Sequence, residues 1–230
     1  MFEATFFLRP SAFVRPSSKI RYDQAMRKHS FLILILLLYL GLGALYAVNT
    51  PAWQAPDEPA HYNYVRQLAN GRFPLIEPGD YDQAYIMKVV FSTPAFPPEA
   101  SLAPLSYEDW QPPLYYLLQT PLFLATGGSL TAMRLFSLLM GAGVVILAYV
   151  LAGILFPGQR WLAWTTAVFV AFLPQHLAIM ASANNDALAE LIIAAVLVVL
   201  VRWLQIREWR VEGGDASSLL STFSLPPANI

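Results

Sequence analysis

Four long apolar runs, separated by stretches of ordinary polarity, restrict this chain to one kind of fold. They cover roughly residues 31–48, 130–155, 161–181 and 187–204. Each reaches the ~18–20 residues that a helix needs to cross the hydrocarbon core of a bilayer. Inside a bilayer the backbone N–H and C=O groups find no water, so a spanning segment must satisfy them internally, as an α-helix does. The expected fold is therefore all-α, a polytopic membrane helical bundle of about four transmembrane helices. Composition agrees: 57% of the residues are hydrophobic and 13% charged, against ~25% charged in soluble domains. The absence of cysteine excludes disulfides, thiolate metal sites and cysteine nucleophiles. A net charge of −1, with no basic patch interleaved with aromatics, gives no reason to expect a nucleic-acid partner.

A fifth apolar stretch, Leu114 to Ala125, follows Pro112-Pro113 and contains Gln119 and Pro121. It is short for a span and suits a helix lying in the interface. Charge placement supports that reading. With the N-terminus cytoplasmic, Arg9, Arg15, Lys19, Arg21, Arg27, Lys28, Arg160, Arg202, Arg207 and Arg210 all fall inside. The loop 49–129 is then extracytoplasmic and predominantly acidic, in keeping with the inside-positive bias. If 114–125 crossed, Arg160 and the arginine-rich tail would face outward. The first run lacks a good small-x-small cleavage site, so a retained anchor is expected rather than a signal peptide. The expected organisation is a basic cytoplasmic segment 1–30, a membrane domain 31–205 and a polar, disordered tail 206–230. The expected location is the cell (plasma) membrane, crossed several times.

The outer loop holds many prolines and a high density of tyrosine and tryptophan, rings that favour membrane–water interfaces. One helix is expected over about 57–70, with Asp57 as N-cap, Pro59 in the first turn and Asn70-Gly71 as the stop. A second, interfacial helix is expected over about 112–126.

Three clusters carry possible chemistry. In Pro56-Asp57-Glu58-Pro59-Ala60-His61, two adjacent carboxylates open a helix, and His61 lies one turn after Asp57 on the same face. Such a group can take a proton from a hydroxyl or hold a cation. Equally, Asp57 can simply cap the helix while Glu58 favours its positive end, and His61 can be a packing residue. In Ser182-Ala183-Asn184-Asn185-Asp186, Asp186 heads the last span on the same side as Asp57, as a second site carboxylate or as a plain N-cap. In Tyr107-Glu108-Asp109-Trp110-Gln111-Pro112-Pro113-Leu114-Tyr115-Tyr116, acidic groups lead into an aromatic helix, a second wall of a cleft or an interfacial anchor. Arg134, an arginine at the outer end of a span, runs against the charge bias and suits pairing with an anion. Gly41, Gly43, Gly141 and Gly143 read as sites of close helix packing.

Taken in order, Asp-Glu-Pro-Ala-His-Tyr, Gln-Pro-Pro-Leu-Tyr-Tyr, Met-Arg-Leu-Phe-Ser-Leu-Leu, Leu-Phe-Pro-Gly and Asn-Asn-Asp-Ala-Leu resemble the N-terminal half of membrane glycosyltransferases of the C superfamily. The nearest group is glycosyltransferase family 39, the protein mannosyltransferases and aminoarabinose transferases. The set is also similar to uncharacterised bacterial membrane proteins with the same Asp-Glu-Pro-Ala-His signature. The resemblance spans about residues 31–205. It implies transfer of a sugar from a polyprenyl-phosphate carrier to a lipid, glycan or protein acceptor on the outer face. It implies a catalytic base at Asp57, with Glu58 beside it, and a second catalytic carboxylate at Asp186. His61, Arg134, Tyr115 and Asn185 become candidate substrate contacts. Some members bind a divalent metal, for which Glu108 is the candidate ligand. Members usually continue through more spans, so the resemblance also implies a truncated enzyme whose activity alone is in doubt. The competing expectation is a non-catalytic membrane protein, an assembly subunit or degenerate relative. A transporter would carry polar or broken span centres, and 130–155 and 187–204 are apolar through their middles.

Overall fold

The computed structural model describes residues 18–92, 96–97 and 100–211, side chains of 18–29 and 208–211 excepted. The expectations for residues 1–17 and 212–230 lie outside the described residues. Among the described residues eight helices follow in order: α1 (Ser18–Asn49), α2 (Glu58–Ala69), α3 (Gln83–Val90), α4 (Leu114–Ala125), α5 (Leu130–Leu155), α6 (Arg160–Phe172), α7 (Pro174–Met180) and α8 (Asp186–Val211). Among the described residues there is no strand, only a single bridge between Tyr81 and Leu105.

Among the described residues three stretches are long and apolar enough to cross a membrane: Ser30–Asn49, Leu130–Leu155 and Asp186–Arg207. The fourth expected span is broken. Its two parts, α6 and α7, meet at 62°. Pro174 explains the break: it lacks an N–H for the helical ladder, and its ring forces Leu173 out of the helical region, to φ −66° and ψ 115°. Counting the bent pair as one span gives four. Two helices run past their apolar spans. The first helix starts at Ser18, well before the apolar run, and the last continues to Val211, through the first residues of the supposed tail.

Helix α5 is the central post. It packs against α1, α4, α6, α7 and α8, and 39% of its apolar window is buried, against 6% for α8. The exposed face of α8, with Ile193, Val196 and Val199, is apolar, as a lipid-facing surface requires. One core joins Ile35 and Tyr39 of α1 to Leu138 and Val145 of α5 and to Ala167, Ala171 and Leu177. Small residues bring the helices close. A methyl group on Gly141 would collide with the Tyr39 hydroxyl and lie 2.9 Å from Met180 Cγ, and one on Gly43 or Gly143 would strike Leu138 or Leu191. Gly41, grouped with these in the sequence reading, has open space around it and packs against nothing.

At the loop end of the bundle a second core joins α2, α4, α5 and α8 through Tyr64, Tyr115, Tyr116, Met133 and Ala187. Tyr64 and Tyr116 stack with centroids 3.7 Å apart and planes 9° from parallel. Helix α4 has 12 residues, ~18 Å at 1.5 Å per residue, and falls well short of a ~30 Å core. Its one amide, Gln119, turns inward rather than toward lipid, donating to the Met133 carbonyl and the Tyr115 hydroxyl. The short α3 was not expected. Its signal was Asp82, whose side chain accepts from the Tyr85 N–H as an N-cap. Gly71, just past the C-cap of α2, sits at φ 74°, where a glycine is needed.

Candidate functional site: an acidic mouth above a buried ion pair

The adjacent carboxylates Asp57 and Glu58 have opposite surroundings. Glu58 is fully buried. Its Oε1 accepts from Arg134 Nε at 2.8 Å and from the Ala183 N–H at 3.1 Å, and its Oε2 accepts from Arg134 Nη2 at 2.6 Å and from the Trp53 N–H at 3.2 Å. Arg134 is 2% exposed. Besides Glu58, it donates to the backbone carbonyls of Ala47, Thr50 and Pro51. A guanidinium has five N–H donors, and these bonds occupy all of them. The pair thus ties the end of α1, the start of α2, the first turn of α5 and the α7–α8 turn into one knot. Arg134 therefore has no donor left for a substrate phosphate, and Glu58 has no open lone pair for an incoming proton.

Asp57 stands just outside this knot. It adopts the left-handed conformation, φ 57° and ψ 0°, and its side chain makes no cap bond to α2. Aspartate is one of the few residues that tolerate this region, and such outliers gather at functional sites. The expected capping role is thus absent, although the Asp57 carbonyl accepts from Ala60 and His61 N–H. The exposed carboxylate instead accepts the Tyr107 hydroxyl at 3.1 Å. Burial holds that phenol well above its usual range, and the Asp57 charge and hydrogen bond, with the Glu108 charge, add to the rise.

Two more carboxylates come to the same place. Glu108 is held by Gln111, whose Nε2 donates to Oε2 at 2.8 Å, while Gln111 Oε1 accepts from Asn185 at 3.0 Å. Burial raises the Glu108 pKa, the charges of Asp57 and Asp186 add to that rise, and the Gln111 bond opposes it. Asp186 is exposed. It does not cap α8 with its own side chain; Asn184 Oδ1 accepts the Asp186 N–H at 2.9 Å. Residues 57, 108 and 186, far apart in sequence, therefore form one acidic mouth at the loop end of the bundle. Tyr107, Gln111 and Asn184, which build it, were not singled out individually from sequence. The only signal was that polar residues flank Pro112-Pro113 and precede Asp186.

The remaining candidates are buried. Tyr115 shares a 2.8 Å bond with Ser137 and accepts from Gln119, and burial pushes its phenol up to about 12. His61 is 2% exposed and shares a 2.9 Å bond with the Tyr116 hydroxyl. Of the proposed substrate contacts only Asn185 stays partly accessible. Burial drives the His61 pKa down to about 4, with Asp57 opposing. An unfolded histidine titrates near ~6.5. As pH falls below that value the unfolded chain takes up the proton first, so stability is full above ~6.5 and declines until about 4. The expected loss is ~3 kcal/mol. Melting temperatures from pH 4 to 7 should show a steeper slope for the wild type than for His61→Gln; identical slopes would remove His61 as the source.

Among the described residues no three histidine, aspartate or glutamate side chains are close enough to hold a metal ion. Asp57, Glu108 and Asp186 share a field rather than a ligand set, so no chemical step is derived through a metal.

The loop end thus presents open carboxylates above an apolar helical bundle. Residues 110–211 match the family model for dolichyl-phosphate-mannose-protein mannosyltransferases. The match takes in α4 to α8, with Arg134, Asn185 and Asp186, and begins just after Glu108. This segment is therefore similar to membrane glycosyltransferases of the mannosyltransferase type. Neither a curated protein nor a solved structure matches the chain.

Proposed function

We propose that the chain forms the acceptor-activating part of a membrane glycosyltransferase, with Asp57 as general base. The observation that carries this is the contrast between two neighbours: Glu58 is saturated and buried, whereas Asp57 is exposed and strained, with its carboxylate open. The mannosyltransferase-like match supports a donor of the lipid-phosphate sugar class. In the proposed step an Asp57 oxygen takes the acceptor hydroxyl proton as that oxygen attacks the anomeric carbon. The bond from the anomeric carbon to the carrier phosphate breaks, and the phosphate leaves with the electron pair. Asp186 and Asn185 face the same mouth and would position the sugar hydroxyls. Glu108, whose pKa burial raises, lies at the same mouth. The leaving phosphate needs a cation, and Arg134 is already committed to Glu58.

The test is transfer from polyprenyl-phosphate sugars to envelope acceptors by the wild type and by Asp57→Asn. Loss of transfer in a folded variant supports the base assignment. A wild type that transfers from no such donor would favour a non-catalytic relative.

The proposed orientation places the mouth on the extracytoplasmic side. It rests on charge: Arg160, Arg202 and Arg207 lie at the opposite end of the bundle, in keeping with the inside-positive bias. A reporter fused after Gly128 should read outside; a cytoplasmic reading would invert the proposal.

A further inference from the structure

On the outer loop, beside α2, lies a cavity of about 390 Å³. Asp57 and Asp186 do not line it. Its walls include Arg66, Gln67, Arg72, Phe73 and Asp109. Three of its features point to a ligand.

The first is an unanswered acceptor. Asp109 is 7% exposed; its Oδ2 accepts from Gln67 at 2.8 Å, but its Oδ1 has no hydrogen-bond partner among the described residues. A buried carboxylate oxygen without a donor is costly; Oδ1 lies beneath the cavity wall, so a hydroxyl in the cavity relieves it once the Asp109 side chain turns outward. The second is a surplus of donors. Arg66 directs one amino group to Asn63 at 2.6 Å, and the Arg72 guanidinium makes no hydrogen bond or salt bridge among the described residues, although its charge acts on Asp109. The third is an apolar side. Phe73, 59% exposed, and Leu75, 65% exposed, both line the cavity.

The charges decide the ligand class. The lining holds two arginines, Arg66 and Arg72, and three carboxylates, Glu77, Asp80 and Asp109. A simple anion would meet the carboxylates, and a simple cation the guanidiniums. A neutral polyol suits both, because every hydroxyl donates and accepts. The C–H face of a sugar ring is apolar and matches an exposed aromatic ring. Small-ligand pockets run from ~300 to ~1,000 Å³, and at about 390 Å³ this cavity has room for a short saccharide.

We propose that this cavity is a saccharide-binding site, with Asp109 accepting from a sugar hydroxyl, Arg66 and Arg72 donating to others, and Phe73 under the ring. It stands independently of the sugar-transfer reading. The experiment is ligand-observed saturation-transfer NMR on the full chain in lipid nanodiscs, free of sugar-headed detergent. The probes are methyl mannopyranoside, mannobiose and maltose, with inorganic phosphate and ethanolamine as charged controls. Saturation should reach the ring protons of at least one saccharide at millimolar concentration. Arg72→Ala and Phe73→Ala, at exposed side chains that support no core, should each weaken binding ~10-fold, as should the isosteric Asp109→Asn. Asp57→Asn should leave it unchanged, so a failed transfer test does not touch this result. No saturation of any saccharide, equal saturation in wild type and all three cavity variants, or binding by phosphate or ethanolamine alone would each overturn the proposal.

Discussion

Replacing Arg134 with leucine is expected to destabilise the protein by ~3–5 kcal/mol, the usual effect of removing one partner from a buried ion pair. The change would strand Glu58, which is fully buried, without its counter-ion. It would also leave the carbonyls of Ala47, Thr50 and Pro51 without their donors. In a chain of this size that corresponds to a melting temperature lower by on the order of 10 °C. Thermal unfolding of the detergent-solubilised protein measures it. The double variant Glu58→Gln/Arg134→Leu should lose less than the sum of the two singles, with a coupling of ~0.5–3 kcal/mol, because it leaves no buried charge. Simple additivity would mean that the pair is not a unit. Any activity should fall with the fold, since the knot holds the first turn of α2 and thereby aims Asp57.

Asp57→Asn should behave in the opposite way. If Asp57 is the proposed base, initial rates of sugar transfer should fall ~10²–10⁴-fold, the usual contribution of a general base. Stability should change by less than ~0.5 kcal/mol, because Asp57 is exposed and makes no cap bond. Asparagine also tolerates the left-handed conformation, so the backbone at φ 57° is kept. The loss of the Tyr107 bond to a charged acceptor is the one structural effect expected. A rate close to wild type would eliminate Asp57 as the base. On the proposed assignment neighbouring positions separate the two roles: substitution at 57 should remove chemistry and leave the fold, and substitution at 58 should weaken the fold first.

Much of the architecture was legible because bilayer crossing is a one-dimensional requirement. Span length, the charge bias and the shortness of 114–125 can all be counted along the chain, and helices α1, α4, α5 and α8 appear close to where those counts put them. The bend at Pro174 was available in principle from the proline rule, but a long apolar run hides it. The chemistry of Asp57-Glu58 was not legible. Both are carboxylates at a helix start, and local rules allow either to cap, pair or catalyse. Their division of labour depends on Arg134, 76 positions beyond Glu58, and on the Ala183 N–H, 125 positions beyond it. The same holds for Arg134 itself: its oddity on the loop side was visible, but its partner was a protein carboxylate rather than a substrate phosphate. The sequence alone determined a helical membrane bundle with an acidic loop after its first span, because apolar length and charge sign are sums over neighbouring residues. Tertiary structure alone decided which carboxylate stays open, because burial and hydrogen-bond saturation are set by groups that meet only when the bundle closes.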